Sequence, residues 1–265
     1  EVAAINDLGD LENLAYLLKY DTVYGTFERQ VTSDKEKGIL RVDGREVQFS
    51  QIKDAAQFPW GNMGIDIVVE ATGVFESYEK AQVHIQAGAK RVVITAPAKD
   101  ADGTLGKTVL MGVNESDLSG VVVTSNGSCT TNAASPVIQV LSENPGIQKA
   151  ILSTVHGYTA TQSIVDGSVK GNDFRRGRAA AQNIVPSSTG AATAVARAIR
   201  ELEGKFDGVA MRVPIVSGSM GHICFLAKRK TTAEEVNNIF RKAAKEKRWK
   251  GILKVTEDQL VSSDI

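Results

Sequence analysis

The stretch Val121-Val122-Val123-Thr124-Ser125-Asn126-Gly127-Ser128-Cys129-Thr130-Thr131-Asn132-Ala133-Ala134 reads as a strand, a glycine-containing turn and the start of a helix. The helix continues through Val137-Ile138-Gln139-Val140-Leu141. A cysteine at such a turn lies beside backbone N–H groups, where the positive end of the helix dipole stabilises a thiolate. Most lone cysteines are buried and inert. Here Ser128, Thr130, Thr131 and Asn132 crowd round the sulfur, and in a core each would demand hydrogen-bond partners. Cys129 is therefore the candidate nucleophile.

The 265 residues suit one large domain or two ordinary ones, with 42% apolar and 23% charged residues. Lys plus Arg (31) equals Asp plus Glu (31), so no bulk charge points to nucleic acid or a membrane surface as partner. No apolar run approaches the roughly 20 residues that span a bilayer. Two cysteines, Cys129 and Cys224, do not make a disulfide scaffold, and a reducing, cytoplasmic setting is expected. His84, His156 and His222 are too dispersed for a metal site, and none is expected.

Working back from the central turn, strands alternate with helices. Val2 to Ile5 is a short strand ending at Asn6-Asp7, and Leu11, Leu14 and Leu18 mark an amphipathic helix. An acid at the end of an early strand fits a ribose-binding carboxylate of a dinucleotide fold, although a plain helix cap is the simpler reading of Asp7. The glycine fingerprint expected about 20 residues upstream has no place in the chain, which is expected to begin inside the fold. Val31 to Phe49 is a β excursion. Ile65 to Val69 reads as a buried strand, Tyr78 to Ala87 as a helix closed by Gly88, and Arg91 to Thr95 as a strand. Val109 to Val113 and Val121 to Thr124 are further strand candidates. This alternation predicts a parallel sheet with right-handed crossovers, and Thr72-Gly73 and Thr95 at strand ends face a ligand.

After Leu141 the pattern changes. Ala150 to Val155 is a strand presenting His156, followed by a long polar, basic loop from Gly157 to Gln182. Val195, Ile199 and Leu202 mark a helix face, Val209 to Val213 and Ile223 to Ala227 are strands, and Thr232 with Glu235 forms a capping box. A lone histidine is as often structural as catalytic, but the hydroxyl-rich Tyr158-Thr159-Ala160-Thr161-Gln162 after His156 suits a ligand, which favours a base for Cys129. Ser187-Ser188-Thr189-Gly190, read as opening a helix, is either an anion site or an ordinary cap. Arg176 and Arg212 are candidate bidentate phosphate contacts or surface residues, with spacing deciding neither way.

Taken in order, Asn6-Asp7-Leu8, Leu17 to Asp21, Glu70 to Phe75, Ser128 to Asn132, His156 to Gln162, Arg175 to Ala180, Pro186 to Ala192, Arg212-Val213-Pro214 and Leu260 to Asp264 resemble the phosphorylating glyceraldehyde-3-phosphate dehydrogenase family over essentially the whole chain. The resemblance implies a Rossmann-type parallel α/β sheet, lacking its first βα unit, over 1–128. An α+β catalytic domain with a mixed sheet follows over 129–265. It implies an NAD-dependent oxidoreductase of glycolysis that converts glyceraldehyde 3-phosphate and inorganic phosphate to 1,3-bisphosphoglycerate. Cys129 resembles the nucleophile that carries a thiohemiacetal and then a thioester, with His156 as base. Ser128, Thr130, Thr159, Thr161, Arg176, Thr189, Gly190 and Arg212 match substrate- and phosphate-binding positions. Asn6, Asp7, Thr72, Gly73 and Thr95 match cofactor-binding ones, and an acid at Asp7 favours NAD over NADP. A cytoplasmic homotetramer is implied as well. The chain departs from the family at both ends, at Ala133, where a second cysteine is usual, and at His222. Pro136 is expected to kink or delay the helix that starts at Cys129. Erythrose-4-phosphate dehydrogenase shares the nucleophile motif and is the alternative enzyme. A non-catalytic binding protein keeping the fold is the alternative of another class.

Overall fold

Hydrophobic periodicity explains most of the elements in the computed structural model, which describes residues 1–265. The chain folds into two compact units, one of Glu1–Val68 with Gln82–Val92 and a second of Val69–Ala81 with Val93–Ile265.

In the first unit, strand β1 (Ala4–Asn6) leads into helix α1 (Leu11–Lys19), capped by Asp10, whose carboxylate accepts from the amides of Glu12 and Asn13. The hairpin β2 (Tyr20–Asp21) and β3 (Gly25–Thr26) follows, then β4 (Val31–Asp34), β5 (Ile39–Val42) and β6 (Arg45–Ser50). The sheet runs β1-β6-β5-β4, with β1 parallel to β6 and the others antiparallel. Leu11, Ala15, Leu40 and Val47 form the core. Leu18, expected on the apolar face of α1, is exposed instead. The first strand starts two residues later than its apolar run suggests, at Ala4.

Strand β7 (Ile67–Glu70), helix α2 (Tyr78–Gln86), strand β8 (Arg91–Ile94), β9 (Lys107–Thr108) and β10 (Val123–Ser125) come next. Their sheet has the order β7-β8-β10-β9, with β10 parallel to β9. Two expectations fail. β7 is an edge strand whose Ile67 and Val69 are exposed rather than buried. Val109 to Val113 is a turn, because Asn114 accepts from Leu110 N–H and donates to Thr108 O, closing the chain on itself.

The second unit is completed by α3 (Cys129–Glu143), β11 (Ile147–Gly157), β12 (Val185–Ser188), α4 (Ala191–Ala198), β13 (Phe206–Val213), β14 (Ser219–Ala227) and α5 (Ala233–Ala243). Its mixed sheet has the order β12-β13-β11-β14, with β11 parallel to β13 and antiparallel to β14. Ile138, Leu152, Val195 and Leu202 are among the most deeply buried residues of the core between sheet and helices. Helix α3 begins at Cys129 and runs through Pro136 without delay. The proline sits in the eighth position, and the amide lost there is one hydrogen bond of a 15-residue helix packed on a buried face. Ser187 and Ser188 end strand β12, so only Thr189 and Gly190 lead into α4. The expected capping box at α5 is half formed. Thr232 accepts from Glu235 N–H, but the Glu235 carboxylate turns to Arg229 and Thr231. No helix is long and apolar enough to cross a membrane.

Candidate active site

The turn before α3 is held from several sides. Asn126 N–H donates to Ile94 O at 2.9 Å, and the buried Ser125 hydroxyl donates to Ala96 O at 2.7 Å while accepting from Gly127 N–H at 3.1 Å. Asn132 Nδ2 donates to Asn126 O (2.7 Å) and Ser128 O (3.0 Å), tying the first turn of the helix back to its approach. Gly127 has φ +67°, and a Cβ there would lie 2.7 Å from Thr131 Cγ2, so glycine is required on both counts. Ser128 is the N-cap: its hydroxyl accepts from Thr131 N–H at 3.1 Å. These bonds leave Cys129 exposed as the first helical residue, its sulfur at the positive end of a 15-residue helix.

Strand β11 delivers the second group. It is an interior strand, and His156 is its penultimate residue, in register with Arg212 on parallel β13 and Ser219 on β14. His156 Nε2 lies 3.3 Å from Cys129 Sγ. His156 Nδ1 lies 2.6 Å from Gly157 O and 2.7 Å from Arg212 Nη1, which also donates to Gly157 O at 3.0 Å. A thiol, an imidazole and a guanidinium are thus joined in one line. Burial works against the charge on Arg212, Cys129 works for it and Arg176 against it; the net effect lowers its pKa.

The hydroxyls and cations expected to bind phosphate gather around this line in part. Thr159 Oγ1 and Thr161 Oγ1 are 3.1 Å apart, and Arg176 Nη1 donates to Thr161 Oγ1 at 3.4 Å. Thr161, Gln162, Asp173, Arg176, Ser187 and Arg212 line one small cleft. Asp173 keeps its carboxylate below the ordinary range through Arg175, so it faces Arg176 as an anion. Thr189 Oγ1 accepts from Ala191 N–H, and the exposed Gly190 N-caps α4 without a side-chain hydrogen bond. Ser128 is occupied as a cap. Thr130 is buried and lines an apolar cavity of about 320 Å³ with Thr154, whose hydroxyl has no partner.

Of the residues expected to meet the cofactor, Asn6 and Asp7 lie in the first unit and Thr72, Gly73 and Thr95 in the second. Asp7 Oδ1 accepts from Gly9 N–H at 2.7 Å, which orients the exposed carboxylate and leaves Oδ2 uncommitted for a ribose diol. Thr72 N–H and hydroxyl both donate to buried Glu70, and Thr72 Oγ1 accepts from Val74 N–H, which fixes a turn around Gly73. Gly73 has φ +72° with open space beside its α-carbon, so the turn offers bare backbone to a ligand. Thr95 is exposed, and its amide and hydroxyl both reach Glu70 O. The Asn6 side chain bonds Ile52 O, Ile52 N–H and the Ser50 hydroxyl, which braces the loop after β6. No group of three or more His, Cys, Asp or Glu is arranged to hold a metal ion.

Three supporting residues escape a reading of sequence alone. Asn132 and Gly9 act through contacts two to six positions away, and Glu70 through Thr72 and the more distant Thr95. Asn132, four residues past its Ser128 partner, is the one whose spacing signals the role.

The family model described as "Glyceraldehyde 3-phosphate dehydrogenase, C-terminal domain" matches residues 128–265, and "Glyceraldehyde 3-phosphate dehydrogenase, NAD binding domain" matches residues 1–78. The whole chain is 47% identical to a glyceraldehyde-3-phosphate dehydrogenase of Streptomyces coelicolor, covering 77% of that protein. It is 45% identical to those of Clostridium pasteurianum and Borreliella burgdorferi, covering 76% and 79% of them.

Proposed function

This chain belongs to the glyceraldehyde-3-phosphate dehydrogenase family, and from that premise we propose that Cys129 and His156 are its catalytic pair. The protein is an NAD-dependent oxidoreductase that oxidises glyceraldehyde 3-phosphate in glycolysis. One observation carries the assignment of the pair: an exposed thiol at a helix N-terminus with an imidazole nitrogen 3.3 Å away.

Cys129 Sγ attacks the aldehyde carbon and holds the substrate as a thiohemiacetal. The Cys129 amide, which as the first of α3 has no partner within the helix, faces the developing oxyanion together with His156. His156 Nε2 takes the thiol proton, passes it to the oxyanion to form the thiohemiacetal hydroxyl, and takes it back as the aldehyde hydrogen leaves with its electron pair. Bound NAD supplies the acceptor for the aldehyde hydrogen and its electron pair. The acyl group then stays on Cys129 as a thioester, and inorganic phosphate attacks it to release 1,3-bisphosphoglycerate. Thr159, Thr161, Arg176 and Arg212 fit one phosphate, being grouped at one cleft or on its rim. Ser128, Thr130, Thr189 and Gly190 are assigned to phosphate binding on their family positions. NAD is assigned to Asn6, Asp7, Thr72, Gly73 and Thr95 on their family positions. The cofactor-binding part takes in residues 1–128 and the catalytic part 129–265.

A homotetramer is supported by two exposed apolar surfaces. One is the outer face of the mixed sheet, with Ile151, Val209, Met220 and Leu226; the other surrounds the β2–β3 hairpin, with Leu17, Tyr20, Tyr24 and Phe27. A cytoplasmic site fits the two free cysteines. Light scattering tests the assembly, with a monomer as the adverse result. Iodoacetamide tests the pair. Alkylation of Cys129 at neutral pH is expected to slow in His156→Asn, and an unchanged rate would refute an activated thiol.

A further inference from the structure

Strand β14 is the edge of the mixed sheet, and its side chains alternate between two faces. Ile223 and Phe225 pack inward against the core. Met220, His222 and Cys224 lie on the opposite face and are exposed. Their alternate positions along the strand set a thioether, an imidazole and a thiol in one row. On the neighbouring strand β11, Val155, Ser153 and Ile151 are in register with Met220, His222 and Cys224, so no charged side chain stands opposite the three.

Cys224 Sγ and His222 Nε2 lie 3.8 Å apart, against 3.3 Å between Cys129 Sγ and His156 Nε2. A metal with bonds of about 2.3 Å to sulfur and about 2.05 Å to nitrogen separates the two ligands by about 3.5 Å at a tetrahedral angle and about 3.8 Å at a trigonal one. The second pair is thus spaced for an ion held between sulfur and nitrogen in a three-coordinate arrangement. His, Cys, Asp and Glu alone form no cluster of three. Met220 supplies the missing donor, and its chemistry selects the metal. Thioether sulfur is a soft, neutral ligand outside the usual ligand sets of zinc, calcium and magnesium, whereas thiolate and thioether suit Cu(I).

We propose that Met220, His222 and Cys224 form a binding site for Cu(I) at the edge of the mixed sheet. On binding, the Cys224 thiol gives its proton to solvent, and the thiolate, the neutral imidazole and the thioether each donate an electron pair to the ion. Copper enters and stays as Cu(I), so no electron is transferred. The thiolate cancels the charge of the ion, which leaves a neutral site beside the exposed, apolar Leu226. Neither Cys129 nor the cofactor residues take part, so the site stands apart from the proposed reaction. It is compatible with assembly through the outer sheet face, because β13 and β11 are the middle strands of that face and β14 is its rim.

The test uses the full-length protein carrying Cys129→Ser, because Cys129 and His156 offer a second thiol and imidazole. Cu(I) is supplied anaerobically and titrated against the chelator bicinchoninate, and copper X-ray absorption reads the ligands. The expected result is one Cu(I) retained per chain, bound by one imidazole and two sulfurs. Cys224→Ser is expected to abolish retention. Met220→Leu is expected to remove one sulfur from the spectrum and His222→Ala the imidazole scattering, each with weaker retention. Circular dichroism checks that these exposed substitutions keep the fold. Copper surrendered entirely to the chelator, or retention unchanged in a folded Cys224→Ser, would overturn the site. A spectrum with a single sulfur would overturn the role of Met220 and with it the choice of Cu(I). Should Cys224→Ser not fold, the spectrum before that substitution decides, and coordination by nitrogen and oxygen alone counts against the site.

Discussion

Replacing Ser128 by alanine removes the cap that aims Cys129. The Ser128 hydroxyl accepts from Thr131 N–H at 3.1 Å and lies 2.9 Å from Thr131 Oγ1, while Thr131 itself is fully buried. Loss of an N-cap costs about 1 kcal/mol. The Thr131 hydroxyl, stranded where water does not reach, adds about 1–2 kcal/mol. The sum is about 2–3 kcal/mol, which in a chain of this size lowers Tm by roughly 5–10 °C. Ser128→Thr keeps an acceptor at the same place and is expected to lose less than half as much. Melting followed by circular dichroism at one fixed protein concentration reads the change, since assembly makes Tm concentration-dependent. Iodoacetamide alkylation of Cys129 in the folded Ser128→Ala variant is expected to slow as the helix end frays. If Ser128→Ala melts within about 1 °C of wild type, or Ser128→Thr falls as far as alanine, Ser128 does not hold the turn in the way its hydrogen bonds imply.

Other perturbations follow from the same geometry. Gly127→Ala meets both a positive φ and Thr131, and is expected to destabilise by about 1–3 kcal/mol in urea unfolding. Arg176→Ala removes a cation from the Thr161 cleft and is expected to raise KM for glyceraldehyde 3-phosphate about 10–100-fold, the worth of a charged hydrogen bond, with a smaller change in kcat. Asp117 is held below the ordinary carboxylate range by Lys107 and Asn114, so its contribution is present above the unfolded value near 3.9 and is lost as pH falls through the lower folded value. Asp117→Asn is accordingly expected to lower the urea midpoint at pH 7 and to match wild type more closely at about pH 2. Tyr78 is pushed above the ordinary phenol range chiefly by burial; its neutral form stabilises the fold below about pH 10, and that stabilisation fades as pH rises toward the folded value. Tyr78→Phe, which loses the bond to Asp102, is expected to cost stability at pH 7 and to narrow the gap to wild type under strongly alkaline conditions.

Much of this site is legible in the sequence because its parts are local. Cys129 is announced by the strand–glycine–helix order and its polar neighbours, and His156 by its place where an apolar strand gives way to hydroxyls. What periodicity cannot supply is partner choice across long separations. Nothing in the spacing shows that parallel pairing of β11 with β13 sets Arg212 beside His156, or that Asn6 spends its amide on Ile52. The exposure of β7 is missed for a similar reason: an apolar run looks the same in an edge strand and a central one. Val109 to Val113 fails because the side chain of Asn114 competes for the backbone groups a strand would use. At β12, Ser187 and Ser188 follow a proline and look like a helix cap, yet they pair with Ala210 and Val209 across the sheet edge.

The central claim is that the acyl group of the substrate is carried on Cys129. Full-length enzyme mixed with NAD and glyceraldehyde 3-phosphate in the absence of inorganic phosphate, quenched in acid within one turnover and digested for mass spectrometry, tests it directly. The expected result is an acyl group on the peptide containing Cys129, none on Cys224, and its disappearance when phosphate is added before the quench. An acyl group on another residue, or NADH formed with no acyl-enzyme at all, would contradict it.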